Sequence, residues 1–248
     1  MTARGSYDSE SSVDHYAGLR RRGLFEREAR AIERLFPAGG RVLDLGCGAG
    51  RTTGPLVGRG YDVVAVDLSE SMVRRAGAAS TDASFATADA ASLPFADDAF
   101  DAVLFSYNGI DELRPAGARR AALAEVARVL VPGGTFAFAT RNRLRWFLPV
   151  PPSRQLLAKI ARYWAVNAYA GTLATPYRYD PTADSPKRVH VTGYRTQRRQ
   201  LHDAGFDRVR VLGRSGPASA LFGPSLFVVC EATRAGGQNR ANSTQARS

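Results

Sequence analysis

The residues best suited to chemistry lie in one short segment, residues 42–50, where an apolar run meets three glycines spaced two apart. The apolar run is typical of a buried strand. Gly46, Gly48 and Gly50 let the backbone turn sharply and approach a ligand without side-chain interference. A helix is predicted to begin at Arg51, so its first backbone N–H groups converge where the strand ends. This arrangement favours a nucleotide-like ligand.

A carboxylate supplies the second chemical feature. Asp67 ends the next apolar run, 17 residues beyond Gly50. An acid at that place can accept hydrogen bonds from both hydroxyls of a ribose. The dinucleotide fingerprint G-x-G-x-x-G is not met, because Arg51 occupies the position of its third glycine. The spacing therefore points away from a dinucleotide.

Strand and helix patterns alternate along the chain and would position these residues. Strands are predicted at 41–45, 62–67, 84–88, 100–105, 134–140, 207–212 and 225–232, and helices at 51–58, 69–78, 117–130, 153–170 and 194–204. The short connections between these elements imply an α/β fold with a mostly parallel, doubly wound sheet.

The glycine segment, preceded by Asp44, resembles motif I (D-x-G-x-G-x-G) of the class I S-adenosylmethionine-dependent methyltransferases. Further elements of that family are matched in order at residues 65–72, 87–95, 100–105 and 129–136. The resemblance implies a Rossmann-like sheet of seven strands, mostly parallel, with an antiparallel C-terminal hairpin. It also implies S-adenosyl-L-methionine as cofactor and no metal.

The resemblance implies cofactor contacts at the methionine end. Gly46, Gly48 and Gly50 would supply close backbone approach, and Asp44 would accept from the ammonium group, directly or through water. Tyr16 would reach the carboxylate from an N-terminal helix, or it packs within that helix as part of a lid.

The nucleoside end would be held by residues of the second and third elements. Asp67 would take the ribose hydroxyls, and Leu68 and Met72 would flank the adenine, although Met72 fits the core equally well. Asp89 would accept from the adenine amino group beside the backbone N–H of Ala90.

Ser106 follows the fourth strand and is expected to border both cofactor and acceptor. Candidates for a catalytic base nearby are Tyr107, Asp111, Glu112 and His190, and none of them belongs to a dyad readable from the sequence. A structural role explains Asp111 and His190 as well as catalysis does. Methyl transfer needs a base mainly when the acceptor must lose a proton early.

The formal net charge of +11 comes from one part of the chain. Residues 141–215 carry fifteen Arg or Lys against four Asp, and the remainder balances. Within it, residues 141–193 contain both tryptophans and interrupt the regular alternation, so we interpret them as a lid and substrate insertion. A helical stripe is predicted there, made of Leu156, Leu157, Ile160, Trp164 and Ala168. This stripe fits a packed lid, a membrane-surface helix or an RNA-binding surface.

The expected organisation is a single methyltransferase domain at 13–233 between mobile tails at 1–12 and 234–248. Cys47 and Cys230 lie in loop and strand contexts, which favours reduced thiols and a cytoplasmic location. We find no secretory signal and no run of about 18 apolar residues.

The predicted activity is in-line methyl transfer to an oxygen, nitrogen or carbon of a small organic acceptor, lipophilic or acidic. The chain lacks the Asn/Asp-Pro-Pro-Tyr/Phe tetrapeptide of enzymes that methylate base amino groups and the paired cysteines of cytosine-5 enzymes. Two alternatives stay open: an RNA methyltransferase using the basic 141–215 region, and a regulatory module that binds the cofactor without turnover.

Overall fold

One sheet of seven strands organises the chain in a computed structural model that describes residues 7–79, 82–147, 153–180, 188–212 and 225–233. Its strands are β1 (Arg41–Leu45), β2 (Asp62–Asp67), β3 (Ser84–Thr87), β4 (Phe100–Phe105), β5 (Leu130–Arg141), β8 (Phe206–Leu212) and β9 (Ser225–Ala232). The spatial order is β3-β2-β1-β4-β5-β9-β8. The first five strands are parallel, and β9 runs antiparallel to both β5 and β8. The predicted Rossmann-like sheet with an antiparallel C-terminal hairpin is confirmed.

Helices cover both faces of this sheet. They are α1 (Glu10–Leu19), α2 (Glu26–Leu35), α3 (Thr53–Val57), α4 (Glu70–Gly77), α5 (Ala116–Val129), α6 (Arg154–Tyr169) and α7 (Tyr194–Asp203). Because side chains alternate along a strand, Val42 packs in the cluster that contains Ile32 of α2, while Leu43 packs in the cluster that contains Leu123 of α5. The sheet is therefore buried on both faces, and the carboxyl ends of its parallel strands are left to form a site.

The lid insertion contains a small sheet that the sequence did not predict. Strands β6 (Tyr177–Tyr179) and β7 (Arg188–His190) pair antiparallel. They pack with α6 in a separate cluster built on Trp146, which stacks on Tyr163 at 4.2 Å between ring centroids. The lid thus has its own apolar core. Residues 148–152 and 181–187 of the predicted insertion lie outside the described residues.

The helical stripe predicted for α6 needs correction. The inward face carries Leu156, Ile160, Tyr163, Trp164 and Asn167, whereas Leu157 and Ala168 are exposed. Asn167 faces inward because its side-chain amide bonds the backbone of Tyr179 in β6. The prediction used apolar residues alone and so left out Asn167. The predicted inward face is therefore displaced around the helix axis from the observed one.

Residues 10–12 of the expected N-terminal tail belong to a helix. Helix α1 begins at Glu10, capped by the Ser9 hydroxyl, and the Asp8 carboxylate accepts a 2.5 Å hydrogen bond from the Ser69 hydroxyl. One local contact and one contact with a distant part of the chain therefore hold a segment that has little apolar surface. Residues 1–6 and 234–248 lie outside the described residues. In the part of the chain that the structure describes, every helix is too short or too polar to cross a membrane.

Candidate active site

A cavity of about 1100 Å³, counting its open mouth, lies at the carboxyl ends of β1, β2 and β4. It collects most of the residues predicted to hold the cofactor: Tyr16, Gly46, Gly48, Asp67, Leu68, Met72, Asp89, Ala90 and Ser106. These positions come from five separate segments of the chain, and the sheet topology brings them to one place. Asp44 and Gly50 do not line the cavity.

The glycine loop forms one wall of this cavity. Gly48 has a φ of +53°, a conformation that favours glycine, and its backbone N–H donates to Asp67 Oδ2 at 2.9 Å. The loop therefore fixes the carboxylate at the end of β2 directly. A Cβ on Gly46 would lie 2.7 Å from Phe105 Cε2, so this glycine makes room for the Phe105 ring, whereas the bare backbone at Gly48 leaves room for a ligand.

Asp67 presents its carboxylate to the cavity between two backbone donors. Its Oδ1 accepts from the Ser69 N–H at 2.9 Å, and Oδ2 accepts from Gly48. Burial raises the pKa of Asp67, and the backbone N–H groups of Ser69 and Gly48 oppose that rise. Each oxygen keeps a second lone pair, so a pair of ligand hydroxyls can still be accepted.

Another part of the cavity lining is apolar apart from one acid. It consists of Leu68, Met72, Ala90 and Asp89. Asp89 is exposed, and its Oδ1 accepts from the Ala91 N–H at 2.8 Å, which holds the turn after β3. A flat heterocycle with a donor group fits against these residues.

Asp44 and Gly50 support the loop from behind. Asp44 is fully buried, and its carboxylate accepts from the hydroxyls of Thr52 (2.8 Å) and Thr53 (2.6 Å). Burial raises its pKa to about 6 in spite of these bonds. A Cβ on Gly50 would lie 3.2 Å from the Cβ of Ala76 in α4. The Asp44 carboxylate, predicted to accept from an ammonium group, therefore stabilises the loop instead. The absence of a side chain at Gly50 allows α4 to pack close to the loop.

Three tyrosine rings line the cavity beside the glycine loop, where Tyr16 Cδ1 lies 4.0 Å from the position of a Cβ built on Gly48. We call this part of the lining the tyrosine end. The ring of Tyr16 lies 6.0 Å from that of Tyr7 and 6.1 Å from that of Tyr107. Tyr7 donates to Glu112, which also lines the cavity. Burial, followed by the nearby Glu112 carboxylate, raises the pKa of Tyr16 to about 12, so its hydroxyl stays protonated. Tyr7 was missed in the sequence because it fell in a segment expected to be a mobile tail.

A buried polar junction closes the back of this end. The Arg51 guanidinium pairs with Glu28 of α2, donates to Ser106 Oγ at 2.5 Å and lies 4.4 Å from the ring centroid of Phe25. Ser106 in turn donates to Glu28. The sequence offered one signal for this junction, namely the arginine where a dinucleotide site has glycine.

Two of the candidate bases lie away from the cavity lining. Asp111 is fully buried, where it accepts from the Thr140 hydroxyl (2.8 Å) and the Arg141 N–H (2.6 Å), and burial raises its pKa to about 6. His190 is buried in β7 against the ring of Tyr177, and burial lowers its pKa to about 3. The contacts of Asp111 and His190 are therefore with other parts of the fold and not with the cavity. Of the candidates, Tyr107 and Glu112 line the cavity.

Comparisons with known proteins agree with this geometry. A family profile described as a methyltransferase domain matches residues 42–134. The demethylmenaquinone methyltransferase of Beutenbergia cavernae is 32% identical over 187 residues, which cover 74% of this chain and 72% of that protein. The enzyme of the same name from Renibacterium salmoninarum is 42% identical, but the match covers only 41% of each chain. A crystal structure of an S-adenosylmethionine-dependent methyltransferase from Methanosarcina mazei superposes with a TM-score of 0.65 at 21% identity, covering 85% of this chain and 99% of that one. The chain belongs to the class I S-adenosylmethionine-dependent methyltransferase family.

Proposed function

We propose that this methyltransferase acts on a small lipophilic aromatic acceptor carrying an ionisable hydroxyl, of the quinol or phenol class. The observation that carries the proposal is one continuous cavity lined by two unlike sets of residues. One set is the glycine loop with Asp67, and the other is the tyrosine rings with Glu112. The relatives named demethylmenaquinone methyltransferase support the same acceptor class.

The cofactor would occupy the glycine-loop end. Asp67 would accept from the ribose hydroxyls, because its carboxylate is already fixed by the Gly48 and Ser69 N–H groups. Leu68 and Met72 would flank the adenine, with Asp89 at its rim. When bound, S-adenosylmethionine supplies a methyl group on a sulfonium, which needs no further activation.

The buried charges are arranged to tolerate a cationic cofactor. The Arg51 guanidinium lines the cavity, but Glu28 neutralises it through two hydrogen bonds of 2.7 and 2.8 Å. A sulfonium beside the loop therefore meets a paired arginine. Asp67 lies in the same cavity and adds a negative charge.

The acceptor would occupy the tyrosine end. The rings of Tyr7, Tyr16 and Tyr107, together with Leu113, give an apolar surface suited to an aromatic ring. Glu112 would receive the proton of the acceptor hydroxyl as the methyl group is transferred. The Arg141 guanidinium lies 3.6 Å from the Glu112 carboxylate and would hold it in place.

The test is turnover with isotope-labelled methyl donor and a panel of acceptors: short-chain quinols, catechols, phenols, primary amines and transfer RNA. Glu112→Gln should lower kcat on a quinol about 100-fold or more, because general-base catalysis contributes roughly 10²–10⁴. Its affinity for the cofactor should stay within about twofold. Glu33→Gln, a change of an exposed glutamate on α2, is the matched control and should retain full activity.

Other results with this panel of acceptors would contradict parts of the proposal. Label transferred to RNA or to amines but not to quinols would overturn the acceptor class. Cofactor binding without transfer to any acceptor would support the regulatory module. Full activity of Glu112→Gln would remove the base while leaving the acceptor class in place.

A further inference from the structure

The first part of the lid insertion has a large excess of basic over acidic residues. Residues 141–179 contain seven Arg or Lys and no Asp or Glu, and the first acid after β5 is Asp180. A solvated protein surface usually mixes both signs of charge. Arg178 is buried, and Arg141 is largely buried and pairs with acids. The exposed cations, Arg143, Arg154, Lys159 and Arg162, create an attractive potential for an anionic partner.

Helix α6 exposes an apolar strip beside these cations. Leu157 is 51% exposed and Tyr169 is 97% exposed. Between them the exposed positions at helical spacing are Ala161, Ala165 and Ala168. Arg154, Lys159 and Arg162 are also exposed, at the start and along the flank of the strip. The helix therefore has an inward apolar face in the lid core and a second apolar strip outward.

Aromatic residues extend the strip beyond the helix. Phe147 is 47% exposed, and its ring lies 5.1 Å from that of Trp164, which is half-buried and follows Leu157 by two turns of α6. The Arg143 guanidinium lies 5.5 Å from the Phe147 ring centroid. We call this surface the lid face: Arg143, Phe147, Arg154, Leu157, Lys159, Ala161, Arg162, Ala165, Ala168 and Tyr169.

Hydrogen bonds from the inward side of helix α6, through β6, connect this helix to the cavity lining. Asn167 of α6 bonds both backbone groups of Tyr179 in β6. In the same strand, Tyr177 donates to the Leu113 carbonyl at 3.0 Å, and Leu113 lines the tyrosine end of the cavity. A surface that docks α6 would therefore hold the acceptor end of the cavity at a fixed position relative to itself.

We propose that the lid face docks on the surface of an anionic lipid bilayer. Cationic side chains flanking exposed Leu, Phe and Tyr suit the region between lipid headgroups and acyl chains, where the charges meet phosphates and the apolar groups enter the boundary. A lipophilic acceptor dissolved in that bilayer would then lie next to the cavity. This last consequence depends on the proposed acceptor class, whereas the docking itself does not.

The experiment is co-sedimentation of the full chain with phosphatidylcholine vesicles prepared with and without phosphatidylglycerol. The chain should bind the anionic vesicles, and binding should fall steeply as salt is raised. Each Lys or Arg near such a surface contributes about fivefold in affinity. Arg154→Gln with Arg162→Gln should therefore weaken binding roughly 25-fold.

Two further variants test whether binding depends on the lid face itself or only on the net charge of the chain. Arg34→Gln with Arg74→Gln removes two exposed cations from α2 and α4, and this variant should bind anionic vesicles as the unmodified chain does. Leu157→Glu with Ala161→Glu should abolish binding by placing two negative charges within the apolar strip. Unchanged cofactor affinity in calorimetry, and unchanged circular dichroism, would show that these variants are folded.

Four results would overturn the proposal. They are no sedimentation with anionic vesicles, equal binding by the Leu157→Glu variant, an equal loss in the Arg34 and Arg74 control, and concentration-dependent self-association that the Leu157→Glu variant abolishes. The last would mean that a second copy of the chain covers the lid face. Because the readout is vesicle binding, a failure here leaves the methyl-transfer proposal standing.

Discussion

Arg51 and Glu28 form a buried, two-pronged ion pair that joins the glycine loop to α2. Nη1 lies 2.8 Å from Oε2 and Nη2 lies 2.7 Å from Oε1, and the two side chains are 8% and 2% exposed. Glu28 Oε2 also accepts the Phe25 N–H at 2.7 Å, at the start of α2. The pair therefore fixes α2 against the glycine loop that follows β1.

Removal of either partner should destabilise the fold strongly. Arg51→Met leaves the Glu28 carboxylate buried, and Glu28→Met leaves the guanidinium buried, and such uncompensated charges cost about 3–5 kcal/mol. The double variant should lose less than the sum of the two, because it leaves neither charge behind. Urea unfolding of the three variants measures the coupling directly.

A control for that cycle is the exposed pair of Arg59 and Glu33, whose charged atoms lie 3.6 Å apart. Exposed pairs contribute about 0–1 kcal/mol, so Arg59→Met should change the free energy of unfolding only slightly. If the losses of unfolding free energy in the two single variants add up to the loss in the double variant, Arg51 and Glu28 do not stabilise each other.

Asp67→Ala should weaken the affinity for S-adenosylmethionine and S-adenosylhomocysteine by roughly 10–100-fold. A hydrogen bond to a charged group is worth about 1.5–3 kcal/mol, and the ribose hydroxyls would lose this acceptor. Calorimetric titration measures both affinities. Asp62→Ala changes the exposed acid at the other end of the same strand and should leave both affinities unaltered. Equal affinities for all three proteins would remove Asp67 from the site.

Substitutions at Gly50 and Gly60, which have nearly equal φ angles, distinguish the cost of backbone strain from the cost of a steric clash. Gly50 has a φ of +87° and Gly60 a φ of +83°, but only Gly50 has a neighbour, Ala76, within reach of an added Cβ. Gly60→Ala should cost about 1–2 kcal/mol from the left-handed conformation alone. Gly50→Ala should cost more and also lower cofactor affinity, because α4 or the loop must shift. Identical losses of stability in thermal unfolding, with cofactor affinity unchanged, would contradict this.

The meeting of the glycine loop and Asp67 in one cavity was predictable from the order of the strands. Gly46, Gly48 and Asp67 lie at strand ends, and the carboxyl ends of parallel strands meet at one edge of the sheet. Asp44 shows the limit of that argument. It was predicted to accept from a ligand ammonium group, but its carboxylate accepts from the hydroxyls of Thr52 and Thr53, which no motif singles out.

The tyrosine end was not predictable, because its contacts join distant segments that have no periodic pattern. Tyr7 reaches Glu112 across more than a hundred residues of sequence. Strand β7 could not be recognised either, since its three residues pair with three others in the lid and neither strand is long enough to show alternation. Only tertiary packing distinguishes these residues from a loop.

His190 should make stability depend on acid. Burial, with a smaller contribution from the Arg119 guanidinium, lowers its pKa from 6.5 to about 3 in the folded chain. Between these values the unfolded chain binds a proton that the folded chain does not, so stability falls as the pH decreases through 6.5. From pH 7 to pH 5 this group should remove about 2 kcal/mol of unfolding free energy.

The raised pKa values of Asp44 and Asp111 act in the opposite direction, because the folded chain takes up protons near pH 6 more readily than the unfolded chain. Their contributions are common to the unmodified chain and to His190→Gln, so the comparison of the two isolates His190. Urea unfolding measures the change in unfolding free energy between pH 7 and pH 5, and this change should be about 2 kcal/mol more favourable to the folded state in His190→Gln than in the unmodified chain. A His190→Gln profile parallel to that of the unmodified chain would mean that His190 is protonated in the folded state, and its buried place in β7 would then need a partner for the charge.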